Sequence, residues 1–147
     1  MSKLVDKITT FLKSENIRYL ISDDEKKISL AYVYGKEPDL ARVVLFMDIN
    51  EKTNEVEMGF INKISNDLQS EEALEQMLVL NNQLKTGRIG LANNDDEKRT
   101  LTYSLHFIIN EEQALTKEFY LKKIRTCFGV HSLLIERKII ENDYTQE

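Results

Sequence analysis

The sequence predicts an α+β fold, an antiparallel sheet flanked by helices, in the order α-β-β-β-β-α-β-β-α. Three features support this prediction. Several segments alternate apolar and polar residues, as half-buried strands do. Other segments repeat apolar residues every three to four positions, as helices with one buried face do. The predicted strands follow one another in groups that single helices separate, which favours an antiparallel sheet with helices on one face.

The first helix is predicted over residues 3–13. Its apolar residues recur at the i, i+4, i+7 and i+8 spacing of one helix face: Leu4, Ile8, Phe11 and Leu12. Asn16 suits the left-handed position that follows a helix end. A short strand over 17–22 and an acidic turn over 23–25 complete this region.

Three strands are predicted next. On one face of the first lie Ile28, Leu30, Tyr32 and Tyr34. The second has Val43, Leu45, Met47 and Ile49 on one face and Val44 and Phe46 on the other. We therefore expect a central strand that is buried on both faces. A turn over 51–54 leads to the third strand, which alternates Val56, Met58 and Phe60.

The second helix is predicted to have Ser70 as its N-cap, acidic residues in its first turn, and its end before Gly87. Its apolar stripe consists of Leu74, Met77, Leu78 and Leu84. Asn81 lies on or near this stripe, although asparagine disfavours a helix interior because its side chain competes for backbone hydrogen bonds. We predict that the Asn81 amide caps a backbone group of the adjoining strand.

The last two strands form a predicted hairpin: a short strand over 88–92, a turn over 93–96, and then the longest alternation in the chain. The apolar face of the long strand consists of Leu101, Tyr103, Leu105, Phe107 and Ile109. Its other face is polar and consists of Thr100, Thr102, Ser104 and His106. This difference predicts a sheet that is covered on one side and meets solvent on the other.

A final helix has apolar residues at Leu115, Phe119, Ile124 and Phe128. Either residues 110–113 form a capping box at its start or Thr116 is the N-cap. Gly129 is expected to interrupt this helix. Residues 130–140 could resume as helix, and 141–147 are expected to be a frayed tail.

The composition indicates one cytoplasmic domain. A length of 147 residues with 41% apolar residues suits a single domain over 1–147 with its own core. One cysteine, Cys127, fits a reducing compartment. Residues 1–8 place charges where a signal peptide has its apolar run, and no stretch is long enough to span a membrane. The net charge of −5 weighs against a nucleic-acid partner.

Residues with catalytic or metal-binding chemistry form no recognisable site. Cys127 and His131 are four apart on one helix face, but two ligands do not complete a zinc site. A Cys–His nucleophile also needs an orienting group and an oxyanion hole, which the sequence does not identify. The acidic turns at 23–25 and 94–97 lack the ligand spacing of a calcium loop. We expect no enzyme activity, no metal and no cofactor.

Two tyrosines leave two interpretations open. Tyr32 and Tyr34 lie on the apolar side of their strand, where core packing with the hydroxyl at the rim is the ordinary role. Aromatic strand residues also anchor protein interfaces. The sequence does not separate these two roles.

The chain resembles the YbjN-like family, described as bacterial sensory-transduction regulators that share the fold of type III secretion chaperones. Four stretches show the resemblance: the opening helix into NIRY at 16–19, VVLFMD at 43–48, LVLNNQLKTG at 78–87 running into RIGL, and the long alternating strand. The resemblance extends to about Phe128. It implies a helix-flanked antiparallel sheet, no catalytic residues, and a chaperone or adaptor role, often as a homodimer.

The leading hypothesis is a non-catalytic protein-binding module, a chaperone- or adaptor-like regulator with a protein client. Its candidate partner-binding residues are Thr102, Ser104, His106, Tyr32 and Tyr34. Residues 130–147 lie beyond the resemblance and are a candidate dimerisation or docking element. Two alternatives stay open: a regulator that senses a small molecule between sheet and helices, and an immunity protein that neutralises a basic toxin.

Overall fold

The computed structural model describes residues 3–95, 98–110 and 115–144. Its elements follow the predicted order: α1 Lys3–Ser14, β1 Leu20–Ile21, β2 Lys27–Tyr34, β3 Ala41–Asn50, β4 Glu55–Lys63, α2 Ser70–Gln83, β5 Arg88–Asp95, β6 Lys98–Ile108 and α3 Lys117–Glu136. The six strands form one antiparallel sheet in the order β1-β2-β3-β4-β6-β5. The predicted fold class is confirmed.

The core lies between one face of the sheet and the three helices. A row of directly paired residues on that face consists of Leu30, Leu45, Phe60 and Tyr103, and each is at most 1% exposed. All three helices contribute buried side chains to the same cluster. The sheet is therefore covered on one side, as the polar face of β6 predicted.

The prediction that β3 is buried on both faces is wrong, whereas its central position in the sheet is confirmed. Val43 and Leu45 are at most 2% exposed, but Val44 between them is 50% exposed. An apolar residue on the second face of a strand indicates burial only if another layer covers that face. Here the helices all pack on the first face.

The two ends of α1 show how local chemistry fixes this helix. Asn16 has φ 57°, and the Ile17 amide donates to the Leu12 carbonyl at 2.9 Å, so the predicted left-handed C-terminal cap is confirmed. At the other end, the amides of Leu4 and Val5 donate to the Glu51 carboxylate at 3.2 and 3.0 Å. A carboxylate from the β3–β4 turn thus satisfies free amides at the N-terminus of the helix.

Several predicted boundaries shift by a few residues. The strand predicted over 17–22 is reduced to Leu20–Ile21. Gln69, not Ser70, occupies the N-cap position of α2. β5 runs through to Asp95, so the turn predicted over 93–96 is wrong for 93–95, and residues 96 and 97 lie outside the described residues.

The last helix differs most from its prediction. α3 continues through Gly129, because buried residues on either side of it, Cys127 and Val130, pack the helix onto the sheet. This burial offsets the cost of about 1 kcal/mol that glycine imposes on a helix interior. Thr116 is the N-cap, since its hydroxyl accepts from the Phe119 amide at 3.2 Å. The alternative capping box covers residues 110–113, of which 111–113 lie outside the described residues.

The segment after α3 is attached to the sheet. Ile139 and Ile140 are buried, and Ile140 forms a bridge with Ile64. The Asn142 side-chain amide donates to the Leu40 carbonyl at 2.8 Å. The helix predicted over 130–140 therefore ends at Glu136. The frayed tail predicted over 141–147 is wrong for residues 141–144, which the hydrogen bonds of Asn142 hold beside the β2–β3 connection. Residues 145–147 lie outside the described residues.

Candidate functional site

None of the three helices packs against the second face of the sheet, here called the open face. Half-exposed aliphatic side chains lie on its three adjacent strands β2, β3 and β4: Val33 is 52% exposed, Val44 50% and Ile61 53%. Val44 pairs with Ala31, and Ile61 pairs with Thr102. Exposed apolar residues grouped on one face and rimmed by polar residues mark protein contact surfaces. We refer to Val33, Val44 and Ile61 as the aliphatic strip.

A row of paired residues crosses the open face from one edge of the sheet to the other. In order they are Leu20, Ser29, Phe46, Gly59, Ser104 and Arg88. Gly59 leaves the middle of the row without a side chain. A Cβ there would lie 1.7 Å from the Tyr103 carbonyl oxygen, so no larger residue fits. The row joins an apolar half, with Leu20 and Phe46, to a cationic end at Arg88.

The structure separates the five predicted site residues into two groups. Thr102, Ser104 and His106 lie on the open face, and the His106 imidazole is 3.7 Å from the Glu57 carboxylate. Tyr32 and Tyr34 lie on the opposite face, among the residues that pack against the core. The five residues therefore do not form one surface.

Both tyrosines are held by side chains of α3. The Tyr32 hydroxyl is 2.5 Å from the Tyr120 hydroxyl, and the Tyr34 hydroxyl is 2.6 Å from His131 Nδ1. The Tyr34 ring stacks on Phe128 with centroids 4.5 Å apart. Burial raises the pKa of Tyr32 and of Tyr34 above the usual tyrosine value. The structure supports the core-packing role that the sequence analysis left open.

Cys127 and His131, the residues considered for nucleophilic or metal chemistry, are both fully buried. Burial raises the pKa of the Cys127 thiol to about 12, so the thiolate that such chemistry needs is scarce near neutral pH. Burial lowers the pKa of His131 to about 4, with a smaller opposing effect from Asp143. Within the described part of the chain, no group of three His, Cys, Asp or Glu side chains is placed to hold a metal ion.

A groove of about 840 Å³ lies where the α2–β5 connection meets the open face; we call it the basic groove. Its lining consists of Asn81, Asn82, Leu84, Lys85, Thr86, Gly87, Arg88, Ser104 and His106. Lys85 and Arg88 are exposed at its surface. This lining has two cationic side chains and no carboxylate among the residues that the structure describes.

Backbone contacts fix the wall of the basic groove. Gly87 has φ +80°, and a Cβ there would lie 2.6 Å from the Ser104 carbonyl oxygen, so glycine is required for the turn to approach β6. The Tyr103 hydroxyl donates to the Thr86 carbonyl at 2.7 Å. Asn81 hydrogen-bonds to the backbone of Ile89. The turn that presents Lys85 and Arg88 is therefore anchored by Tyr103 of β6 and by Asn81 of α2.

Sequence reasoning identified Ser104 and His106 as surface residues but missed the aliphatic strip and the two cations. The aliphatic strip was not predicted, because the apolar residues on both faces of β3 indicated that both faces of this strand are buried. Lys85 and Arg88 follow a helix end, where basic residues are ordinary. Only the close approach of Gly87 to β6 brings them beside Ser104. The pairing of Arg88 with Ser104 depends on strand register, which one sequence does not specify.

No helix in the described part of the chain has the length and apolar character needed to cross a membrane. No family model matches the chain, and a search of curated proteins finds none with significant sequence similarity.

Two solved structures have the same architecture. The first is YbjN from E. coli, a candidate transcription regulator, with a TM-score of 0.64, 13% identity, and 93% of each chain covered. The second is a chain of the ExsC–ExsE complex, with a TM-score of 0.59, 10% identity, and 95% of each chain covered. At 10–13% sequence identity, the structural similarity establishes the fold of the chain. The chain therefore has the type III secretion chaperone-like fold that YbjN and ExsC share, as its resemblance to the YbjN-like family predicted.

Proposed function

We propose that the protein is a non-catalytic protein-binding module, a chaperone- or adaptor-like regulator that holds a partner protein against its open face. The observation that supports this most directly is the aliphatic strip. Val33, Val44 and Ile61 are each about half exposed on a face that no helix covers. Covering such side chains with a partner stabilises a complex by roughly 1 kcal/mol each.

Three further observations agree with this proposal. The ExsC chain was solved in a complex with another protein, ExsE, which supports a protein partner for this fold. Thr102 and Ser104 of β6 pair with Ile61 and Gly59 of β4, so polar side chains border the aliphatic strip on the open face. The buried and protonated Cys127 thiol supports the non-catalytic part of the proposal.

The experiment begins with photo-crosslinking in the native host, with a photoreactive residue in place of Val44. Each protein identified by mass spectrometry is then purified and its affinity measured by calorimetry. Val44→Asp and Ile61→Asp should each weaken binding at least tenfold, because a carboxylate in an apolar contact loses its hydration without a partner. Leu78→Asp is the matched control, since Leu78 is an equally exposed leucine on α2.

Each result of this experiment has a defined meaning. Loss of affinity in the open-face variants alone supports the proposal. Equal affinity in all variants, or a loss confined to Leu78→Asp, contradicts the assignment of the open face. Light scattering on the same samples distinguishes a second copy of this chain from a different partner. A strongly basic partner protein would favour the immunity-protein alternative.

A further inference from the structure

The basic groove contains two cations whose charges are not balanced within the chain. Lys85 and Arg88 form no side-chain hydrogen bond or ion pair with any residue that the structure describes. The chain as a whole has a net charge of −5, so a local cluster of two unpaired cations runs against its overall charge. Elsewhere on the open face, Lys27 lies 3.8 Å from Asp48 and is compensated.

The backbone that presents these two cations is fixed before any ligand arrives. The hydrogen bond from the Tyr103 hydroxyl to the Thr86 carbonyl and the two between Asn81 and Ile89 hold the turn in place. Arg88 is the first residue of β5 and pairs with Ser104 on the row that crosses the open face. A rigid site binds more tightly than a mobile one because less conformational entropy is lost on binding.

The surroundings of the groove restrict what it can accept. Ser104 in its lining pairs with Gly59, which pairs with Phe46, so an occupant that follows this row reaches the apolar part of the open face. Beyond His106 lies a second cavity of about 320 Å³ whose lining includes Asp48, Glu55 and Glu57. These carboxylates disfavour an anion at that end. Negative charge is therefore favoured near Arg88 and disfavoured near Glu57.

We propose that the basic groove binds acidic side chains of an extended partner segment, whose apolar residues then cover Phe46 and the aliphatic strip. This inference rests on the proposed function and specifies the chemistry of the partner. A segment is favoured over a small anion because the groove is open and continuous with the row across the sheet. Carboxylates are the groups that Lys85 and Arg88 pair with most directly.

The test uses a defined probe, a capped eight-residue peptide with an extended length of about 27 Å. Serine occupies every second position, and the positions between carry glutamate in the first half and valine in the second, so that both kinds of side chain lie on one face. Two matched peptides replace every glutamate with glutamine or with lysine. Binding is followed by amide chemical shifts of the ¹⁵N-labelled protein. We expect the glutamate peptide to bind most tightly and to shift the amides of Thr86, Gly87, Arg88 and Ser104.

Variants then assign the charge preference to the groove. Lys85→Glu combined with Arg88→Glu should weaken binding of the glutamate peptide by about tenfold or more, because attraction is replaced by repulsion. Lys122→Glu combined with Lys52→Glu is the matched control, with the same change of charge at exposed residues of α3 and of the β3–β4 turn. Raising the salt concentration from about 0.05 to about 0.5 M should also weaken binding.

The outcomes separate this inference from the proposed function. Equal binding of all three peptides that is lost in Val44→Asp overturns the acidic preference and leaves the proposed function standing. A charge preference that survives the double reversal at Lys85 and Arg88 also overturns it. No binding of the glutamate peptide at about 1 mM overturns it as well. Inorganic phosphate that shifts the same amides and displaces the peptide fully at equal concentration would indicate a small-anion site instead.

Discussion

Asn81 makes two hydrogen bonds to the backbone of one residue, Ile89. Its side-chain nitrogen donates to the Ile89 carbonyl, and its side-chain oxygen accepts from the Ile89 amide, both at 2.8 Å. β5 is an edge strand whose inner side pairs with β6, so these two groups of Ile89 lack a strand partner. The asparagine in α2 takes the place of that partner, which confirms the predicted cap.

Asn81→Leu should lower the free energy of unfolding by about 1–3 kcal/mol, because it leaves a half-buried amide and carbonyl without partners. Urea denaturation of the wild type and the variant measures this difference. Asn82→Leu is the control, since Asn82 is exposed on the same helix and should change stability by no more than about 0.5 kcal/mol. Equal or higher stability of Asn81→Leu would show that the two hydrogen bonds contribute nothing.

Substitution by alanine at two glycines should change the stability of the protein in opposite directions. Gly87→Ala should destabilise the protein by about 1–3 kcal/mol, because φ is +80° and the new Cβ would lie 2.6 Å from the Ser104 carbonyl. Gly129→Ala should stabilise it by about 0.5–1 kcal/mol, because Gly129 lies inside α3 and a Cβ meets nothing within 4 Å. Thermal unfolding of both variants is the measurement, and a shift of the same sign in both would contradict this account.

These glycines also show what the sequence could and could not predict. Both follow a helical pattern, and both were assigned to helix ends. The assignment is correct for Gly87, because the chain must turn and approach β6 there. It is wrong for Gly129, because the burial of Val130 and Leu134 beyond it outweighs local propensity. A sequence pattern shows only the local tendency of a glycine to end a helix. Whether the helix ends there depends on the tertiary packing of the residues that follow.

Substitutions at two neighbouring residues of β3 test whether the sheet is covered on only one face. Leu45→Ala should lower the free energy of unfolding by about 2–5 kcal/mol, because Leu45 is fully buried and the smaller side chain leaves a cavity. Val44→Thr should change stability by no more than about 0.5 kcal/mol, because Val44 is 50% exposed and threonine keeps the strand preference. Denaturation midpoints provide the comparison. A large cost at Val44 in the isolated chain would mean that another layer covers the open face.

The element order and the polar face of β6 were predictable because alternation of apolar residues is a local signal. The aliphatic strip was not predictable, because the sequence pattern is the same whether Val44 is exposed or buried. The basic groove was not predictable, because Arg88 and Ser104 meet only through the register of β5 on β6. Candidate site residues on a strand face could therefore be named, but their neighbours across the sheet could not.

His131 should make the stability of the protein depend on pH in a weakly acidic window. Its side chain is fully buried, Nδ1 is hydrogen-bonded to Tyr34, and Nε2 has no hydrogen-bond partner in the described part of the chain. The Phe60 ring packs edge-on against the imidazole at a centroid distance of 5.0 Å. Asp143 is the charged group that acts on it, and its effect is smaller than that of burial. These surroundings favour the neutral imidazole.

Burial lowers the pKa of His131 to about 4 in the folded state, below the ordinary value of 6.5. Between these values the unfolded chain binds a proton that the folded chain does not. The stabilisation is therefore fully present above about pH 6.5 and is lost progressively as the pH falls towards 4. The complete loss amounts to about 3 kcal/mol. Urea denaturation at a series of pH values measures it.

His131→Leu isolates this contribution from that of the carboxylates, which also titrate as the pH falls. The variant loses the hydrogen bond with Tyr34 at every pH, so its absolute stability should be lower near pH 7. Its stability should nevertheless fall less steeply between pH 6.5 and pH 4, because no buried imidazole remains to oppose protonation. Parallel curves for the two proteins would contradict this account, since they would mean that His131 accepts a proton equally well in the folded and unfolded states.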